Sequence, residues 1–87
     1  MWMVQILEDG ELMVFFVRGR LEREQLTELQ GVFESRARSG NIAIDLKEVK
    51  LVDREAVRFL AQCERGGSQL RNCPAYIREW ITKENEG

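Results

Sequence analysis

The sequence predicts a small α/β domain, built on a single-layer mixed sheet of about four strands with about three helices. Two observations carry this prediction. Short apolar runs of strand length alternate with stretches whose apolar residues recur at the three- and four-residue spacing of a helix. A two-residue hairpin signal, Asp9-Gly10, joins the first two strands, because glycine readily adopts a positive φ angle. The predicted order is β-β-α-β-α-β-α, in which later strands pair in parallel through crossover helices.

The first two predicted strands differ in how much surface they bury. Residues 2–8 mix apolar and polar side chains, which predicts a half-exposed antiparallel edge strand. Residues 12–17 are apolar without a break, and this is typical of a central strand that is covered on both faces. Residues 19–22 then predict a turn that leads into the first helix.

The first helix is predicted over residues 22–38. Its apolar face is formed by residues spaced three, four and four apart, namely Leu26, Leu29, Phe33 and Ala37. Glutamates in its first turns and arginines in its last turn suit the helix dipole. Gly40 is expected to end the helix as a left-handed cap.

The second helix follows a third strand. Residues 42–46 predict a short buried strand, and residues 47–50 predict a polar loop. Asp53 lies where a helix N-cap belongs. The buried stripe of the helix then contains apolar residues at helical spacing, namely Ala56, Val57, Leu60 and Ala61, widened by Phe59 and Cys63.

The last part of the chain predicts a brief strand and a third helix. Residues 69–70 suit a fourth strand, and Pro74 fits the first position of the helix that follows. The apolar face of this helix consists of Ile77, Trp80 and Ile81. Residues 83–87 are polar and predict a frayed tail. All of residues 1–87 fit one domain, since single domains typically have about 100–150 residues.

The composition argues against several classes of function. Thirteen basic and fifteen acidic residues leave a net charge of −2, whereas nucleic-acid binding usually needs a strongly positive face. The chain has no histidine, which removes histidine-assisted nucleophilic catalysis and histidine-ligated metals. A core this small has little room for a deep substrate cavity. We therefore expect no enzymatic activity, no metal and no cofactor.

The cysteines and the apolar runs bear on the compartment. Cys63 and Cys73 are too few for a disulfide-dense secreted domain and lack redox or zinc spacing, so buried thiols are the simplest interpretation. No apolar run approaches the roughly 20 residues that span a bilayer, and no secretory signal is visible after Met1. These features predict a cytoplasmic protein without direct membrane insertion.

Three short motifs in this order resemble the STAS domain of bacterial anti-sigma-factor antagonists. They are Gly19-Arg20-Leu21 at the end of a strand, Ile44-Asp45-Leu46 in the next, and V-x-x-V-D from Val49 to Asp53 before a helix. The similarity extends over nearly the whole chain, from about Met13 to Ile81. It implies a non-catalytic regulatory module that binds a protein partner, namely an anti-sigma factor or a related GHKL-type kinase.

The resemblance also implies a switch, and here the chain departs from the family. In the family, an Asp-Ser pair opens the second helix, and phosphorylation of the serine releases the partner through added negative charge. Asp53 matches the aspartate, but Arg54 occupies the phosphoacceptor position, followed by Glu55 and Ala56. The usual phosphorylation switch therefore cannot operate at this position.

The expected partner surface lies at the start of the second helix and in the neighbouring loops. Its residues are Gly19, Arg20, Asp53, Arg54, Glu55, Val57 and Arg58. Arg54 either is a solvated cation or anchors an acidic group on the partner. Because a cation in the first turn opposes the helix dipole, we expect Glu55 or other carboxylates to offset it. Glu55 is also a candidate for a permanent negative charge beside the switch position.

Two other functions stay open at this point. STAS domains also resemble accessory subunits of membrane transport assemblies, a role that does not require the serine. Alternatively, Arg18, Arg20 and Arg54, with Arg71 as a further member, form a basic rim that binds a nucleotide or another small acidic ligand. The predicted edge strand can also add to a second sheet, which allows a homodimer.

Overall fold

The structure is a computed structural model that describes residues 2–36 and 41–86. It contains the predicted seven elements in the predicted order. They are β1 (Met3–Asp9), β2 (Leu12–Leu21), α1 (Arg23–Arg36), β3 (Asn41–Val52), α2 (Arg54–Arg65), β4 (Gln69–Arg71) and α3 (Ala75–Glu86). Two predicted features of the first helix, Ala37 in its apolar face and Gly40 as its cap, lie outside the described residues.

The four strands form one mixed sheet in the order β1-β2-β3-β4. β1 pairs with β2 antiparallel, and β2–β3 and β3–β4 are parallel pairs, which confirms the predicted topology. The hairpin loop is Gly10-Glu11, one residue later than the dipeptide named from the sequence. Gly10 has a φ angle of +65°, a backbone conformation that residues with a Cβ atom rarely adopt.

The three helices pack on one face of the sheet. One hydrophobic core contains β2 residues of alternating position together with residues of β3, α1, α2 and α3. Its largest fully buried members are Phe15, Leu21, Leu29, Ile44, Leu46, Leu60, Ile77 and Ile81. The predicted stripe of α2 is confirmed, and Asp53 is the N-cap of that helix. No helix in the described part of the chain has both the length and the apolar character needed to cross a bilayer.

The unbroken apolar run of β2 does not mean that the strand is covered on both faces, so that prediction was wrong. Phe15 is fully buried beneath the helices, whereas the next residue, Phe16, is 38% exposed. Val14 is buried but lies outside the core cluster. It pairs with Leu7 on one side and with Ala43 on the other, so its neighbours within the sheet bury it. We call the face with Val14 and Phe16 the open face.

β2 and β3 are both longer than predicted. β2 includes Gly19, Arg20 and Leu21, where a turn was predicted, and β3 includes residues 47–50, where a polar loop was predicted. The parallel pairing of β2 and β3 shifts register twice, and each shift places an extra residue in β3. The buried positions Leu46, Val49 and Val52 are consequently three residues apart, which conceals the two-residue alternation of a strand.

α3 continues through Glu86, beyond the point where the frayed tail was predicted to begin. Contacts from its last turn to α2 account for the difference. The Arg65 guanidinium donates a hydrogen bond to the Asn85 side chain at 2.7 Å, and Glu84 contacts two arginines of α2. At the other end, Pro74 directly precedes the helix, and its carbonyl accepts hydrogen bonds from the amides of Ile77 and Arg78.

Candidate protein-binding surface

The start of α2 is fixed by Asp53. Its Oδ1 atom accepts a hydrogen bond from the Ala56 amide at 2.9 Å, which satisfies one of the unpaired N–H groups of the first helical turn. The Asp53 amide donates to the Leu21 carbonyl at 3.4 Å. Helix α2 therefore begins directly above the ends of β2 and β3, and the carboxylate of Asp53 is occupied by the backbone.

Arg54 is held by a carboxylate from the last turn of α3. Its Nε atom lies 3.3 Å from Oε1 of Glu84, and Nε of Arg58 lies 3.5 Å from Oε2 of the same residue. The Glu84 side chain is only 20% exposed, whereas both arginines are more than half exposed. One carboxylate thus bridges two arginines, and it offsets the unfavourable position of Arg54 at a helix N-terminus.

Of the two alternatives that we expected for Arg54, Glu55 or another carboxylate, the structure shows the second. The Oε1 atom of Glu55 lies 3.7 Å from Nη2 of Arg23 on α1, and both side chains are strongly exposed. The carboxylate in contact with Arg54 is Glu84, which is 30 residues away and which we assigned to a frayed tail. Composition and local spacing contain no signal for that contact.

Two of the predicted surface residues do not offer a side chain to a partner. Val57 is fully buried and packs in the hydrophobic core, so it is removed from the contact set. Gly19 is buried within β2, where its φ angle of +94° accompanies the register shift between β2 and β3. The exposed part of the predicted set is therefore Arg20, Arg54, Glu55 and Arg58.

Two exposed apolar side chains near the end of β3 are not among the predicted surface residues. Leu51 is 43% exposed and Tyr76 is 47% exposed. The Tyr76 hydroxyl donates a hydrogen bond to the Lys50 carbonyl at 3.2 Å, so the first turn of α3 is attached to the residue before Leu51. We call Leu51, Arg54, Glu55, Arg58 and Tyr76 the α2 surface.

The arginines proposed as a basic rim have separate environments. Arg20 lines a groove of about 410 Å³ with Trp2, Gly19, Gln25 and Lys50. Arg18 lines a smaller groove of about 90 Å³ on the open face, together with Glu48. Arg54 is bound to Glu84. Arg71 lies on β4 opposite Asp45. Among the described residues, these arginines do not converge on one anion site.

Both cysteines have free thiols, but only Cys63 is buried as predicted. Cys63 is buried on α2, and burial raises the pKa of its thiol to about 11. Cys73 is half-buried, and desolvation raises its pKa as well, while the nearby Arg78 opposes that rise. Both thiols therefore favour the protonated form, which is the less nucleophilic one. The described residues contain no group of three or more cysteine or carboxylate side chains arranged to hold a metal ion.

No family model matches the chain, and no curated protein matches it either.

Proposed function

We propose that the chain is a regulatory protein-binding module of the anti-sigma-factor antagonist type, and that it works without phosphorylation at the start of α2. The observation that carries the proposal is the α2 surface itself. It combines three charged side chains of α2 with exposed Leu51 and Tyr76. Tyrosine and arginine are among the residues that most often dominate binding energy at protein interfaces.

The contact between Arg54 and Glu84 supports a surface with a constant charge. In a phosphorylation-switched domain, a serine at this position gains about −1.5 to −2 charge and repels the partner. Here the position carries a guanidinium whose contact with α3 is made within the chain itself. The fraction of the α2 surface that is occupied then depends on the concentration of the partner.

Affinity capture with matched variants tests this proposal. Wild-type protein and a Leu51→Asp/Arg58→Ala variant are immobilised, exposed to lysate of the source organism, and the retained proteins are identified by mass spectrometry. Arg65→Ala is the control, because Arg65 is an exposed arginine of the same helix, roughly 10 Å further along its axis than Arg58. We expect an anti-sigma factor or GHKL-type kinase on the wild type and the control, and its loss with the double variant.

The same experiment distinguishes the alternatives. Retention of transporter subunits would favour the transport role and contradict the regulatory one. A retained kinase that releases the wild-type chain on addition of ATP, with phosphate transferred to that chain, would contradict the phosphorylation-independent mechanism. Equal retention on the wild type and the double variant would place the interface elsewhere on the molecule.

A further inference from the structure

The two edges of the sheet are protected to very different extents. β4 has only three residues and ends at Arg71, and a short, charged edge strand resists pairing with other chains. β1 has seven residues, and the five from Met3 to Leu7 contain no charge and no proline. Its pairing with β2 has no register shift that would twist the edge away. β1 therefore lacks the devices that normally keep an edge strand from pairing.

Both faces of β1 carry apolar side chains at this edge, with Gln5 between two of them on the open face. Met3 and Leu7 lie on the open face and are 38% and 55% exposed, which makes Leu7 the most exposed large apolar side chain described. Val4 and Ile6 point to the helix side, where they are half-buried against the core. A strand that pairs with β1 would therefore bury apolar surface on both faces of the sheet.

The sequence of β1 is also symmetric about its centre. A two-fold axis perpendicular to the sheet leaves side chains of the same face next to each other in the two copies. Because side chains alternate between faces along a strand, the numbers of two opposite residues must then differ by an even number. An axis through Gln5 places Met3 opposite Leu7 of the second copy, and Val4 opposite Ile6. Within Met3–Leu7, every cross-strand pair is then apolar on apolar, except for the Gln5 pair on the axis, whose amides can hydrogen-bond. The Glu8 carboxylate falls beyond this segment, opposite Trp2.

The neighbouring registers are less favourable. An axis through Ile6 would place the Glu8 carboxylate opposite Val4, and an axis through Val4 would place Gln5 opposite Met3. The Gln5 register alone matches all four apolar residues with one another. This complementarity argues for a second copy of the chain as the occupant of the edge.

We propose that the protein forms a two-fold dimer in which β1 pairs antiparallel with β1 of a second copy, centred on Gln5. The two sheets then form one continuous sheet of eight strands, with all six helices on the same face. The α2 surface lies on the other side of β2 from this edge, and it stays accessible in both copies. The dimer does not depend on the function proposed above.

Sedimentation analysis of the full chain over a range of concentrations tests the dimer. We expect a species of about twice the 10.2 kDa mass of the chain. Leu7→Lys should weaken the dimer at least about ten-fold, because lysine on an edge strand opposes pairing. Leu51→Lys is the matched control, since Leu51 is a similarly exposed leucine away from β1. A wild type that stays monomeric, or a dimer unaffected by Leu7→Lys, would overturn the proposal.

Disulfide formation tests the register independently. Two copies of a Gln5→Cys variant would meet on the axis within disulfide range and should cross-link on oxidation. The two residues at position 7 would lie about four residues apart along the strands, roughly 13 Å, so a Leu7→Cys variant should not cross-link. Cross-linking of Leu7→Cys but not of Gln5→Cys would overturn the Gln5-centred pairing. Oxidation of the wild-type protein gives the background of cross-linking through Cys63 and Cys73.

Discussion

The two faces of β2 place the same side chain in opposite environments. Phe15 is fully buried under the helices, and its ring packs at 5.3 Å from the ring of Phe33. Phe16 is 38% exposed on the open face, between Gln5 and Asp45 in the register. The comparison shows that a low exposed fraction has two origins. The helices bury one face, whereas Val14 and Ala43 on the other face are buried between paired strands and outside the core cluster.

The strongest test exchanges the two phenylalanines for alanine. Phe15→Ala should lower the free energy of unfolding by about 3–5 kcal/mol, because it leaves a cavity under the helices. Phe16→Ala should cost about 1 kcal/mol or less, since water already reaches that ring and no closed cavity forms. Denaturant titration followed by circular dichroism measures both. If Phe15→Ala does not fold, Phe15→Leu takes its place. Equal losses at the two positions would contradict the difference between the faces.

A hydroxyl in place of a methyl group sharpens the comparison among buried residues. Val17→Thr puts an unpaired hydroxyl into the core and should cost about 1–3 kcal/mol. Val14→Thr should cost less than Val17→Thr, because Val14 lies outside the core cluster, on the face of the sheet that the helices do not cover. The urea concentrations at the unfolding midpoints of the two variants measure the difference. A larger loss for Val14→Thr would mean that the open face is covered.

The N-cap on the helix side should have an intermediate effect. Asp53→Ala removes the acceptor of the Ala56 amide and should cost about 1 kcal/mol. Asp53→Asn keeps a capping oxygen and should cost only a few tenths of that amount. Thermal unfolding of both variants measures the difference. An equal loss for alanine and asparagine would show that the charge of Asp53, and not its cap, stabilises the fold.

The smallest effect is expected at the exposed rim of the helix layer. Arg78 donates two hydrogen bonds of 2.8 Å to the carboxylate of Glu64, and these hold the Glu64 pKa below its ordinary value of 4.5. A lowered pKa in the folded state stabilises the fold above pH 4.5, and this stabilisation is lost as the pH falls through the folded-state pKa.

Because about a third or more of each of these side chains is exposed, the contribution of the pair should stay below about 1 kcal/mol. The difference between the unfolding free energies at pH 7 and pH 3 should therefore be smaller in a Glu64→Gln variant than in the wild type. Glu79→Gln, which removes an exposed carboxylate of α3, is the control. A pH dependence that is unchanged in Glu64→Gln would contradict this assignment.

Apolar spacing was sufficient to predict the element order, the mixed sheet and the core of α2, because burial on one face imposes a period on the sequence. It failed in β3, where two register shifts replace the two-residue period by a three-residue one. It also failed for the candidate site, since the partner of Arg54 is 30 residues distant and lies in a helical turn assigned to a frayed tail. Val57 was assigned both to the buried stripe of α2 and to the partner surface, and its full burial agrees only with the first of these.

The alkylation rate of the buried Cys63 thiol reports how often the helix layer opens. Alkylating reagents react with thiolates, and this thiol is both enclosed and, with a pKa of about 11, almost entirely protonated near neutral pH. Its labelling rate should therefore depend on how often the core around Cys63 opens. The half-buried Cys73 supplies a second, faster rate in the same molecule. Local and global opening can thus be timed in the native chain without introducing a reporter.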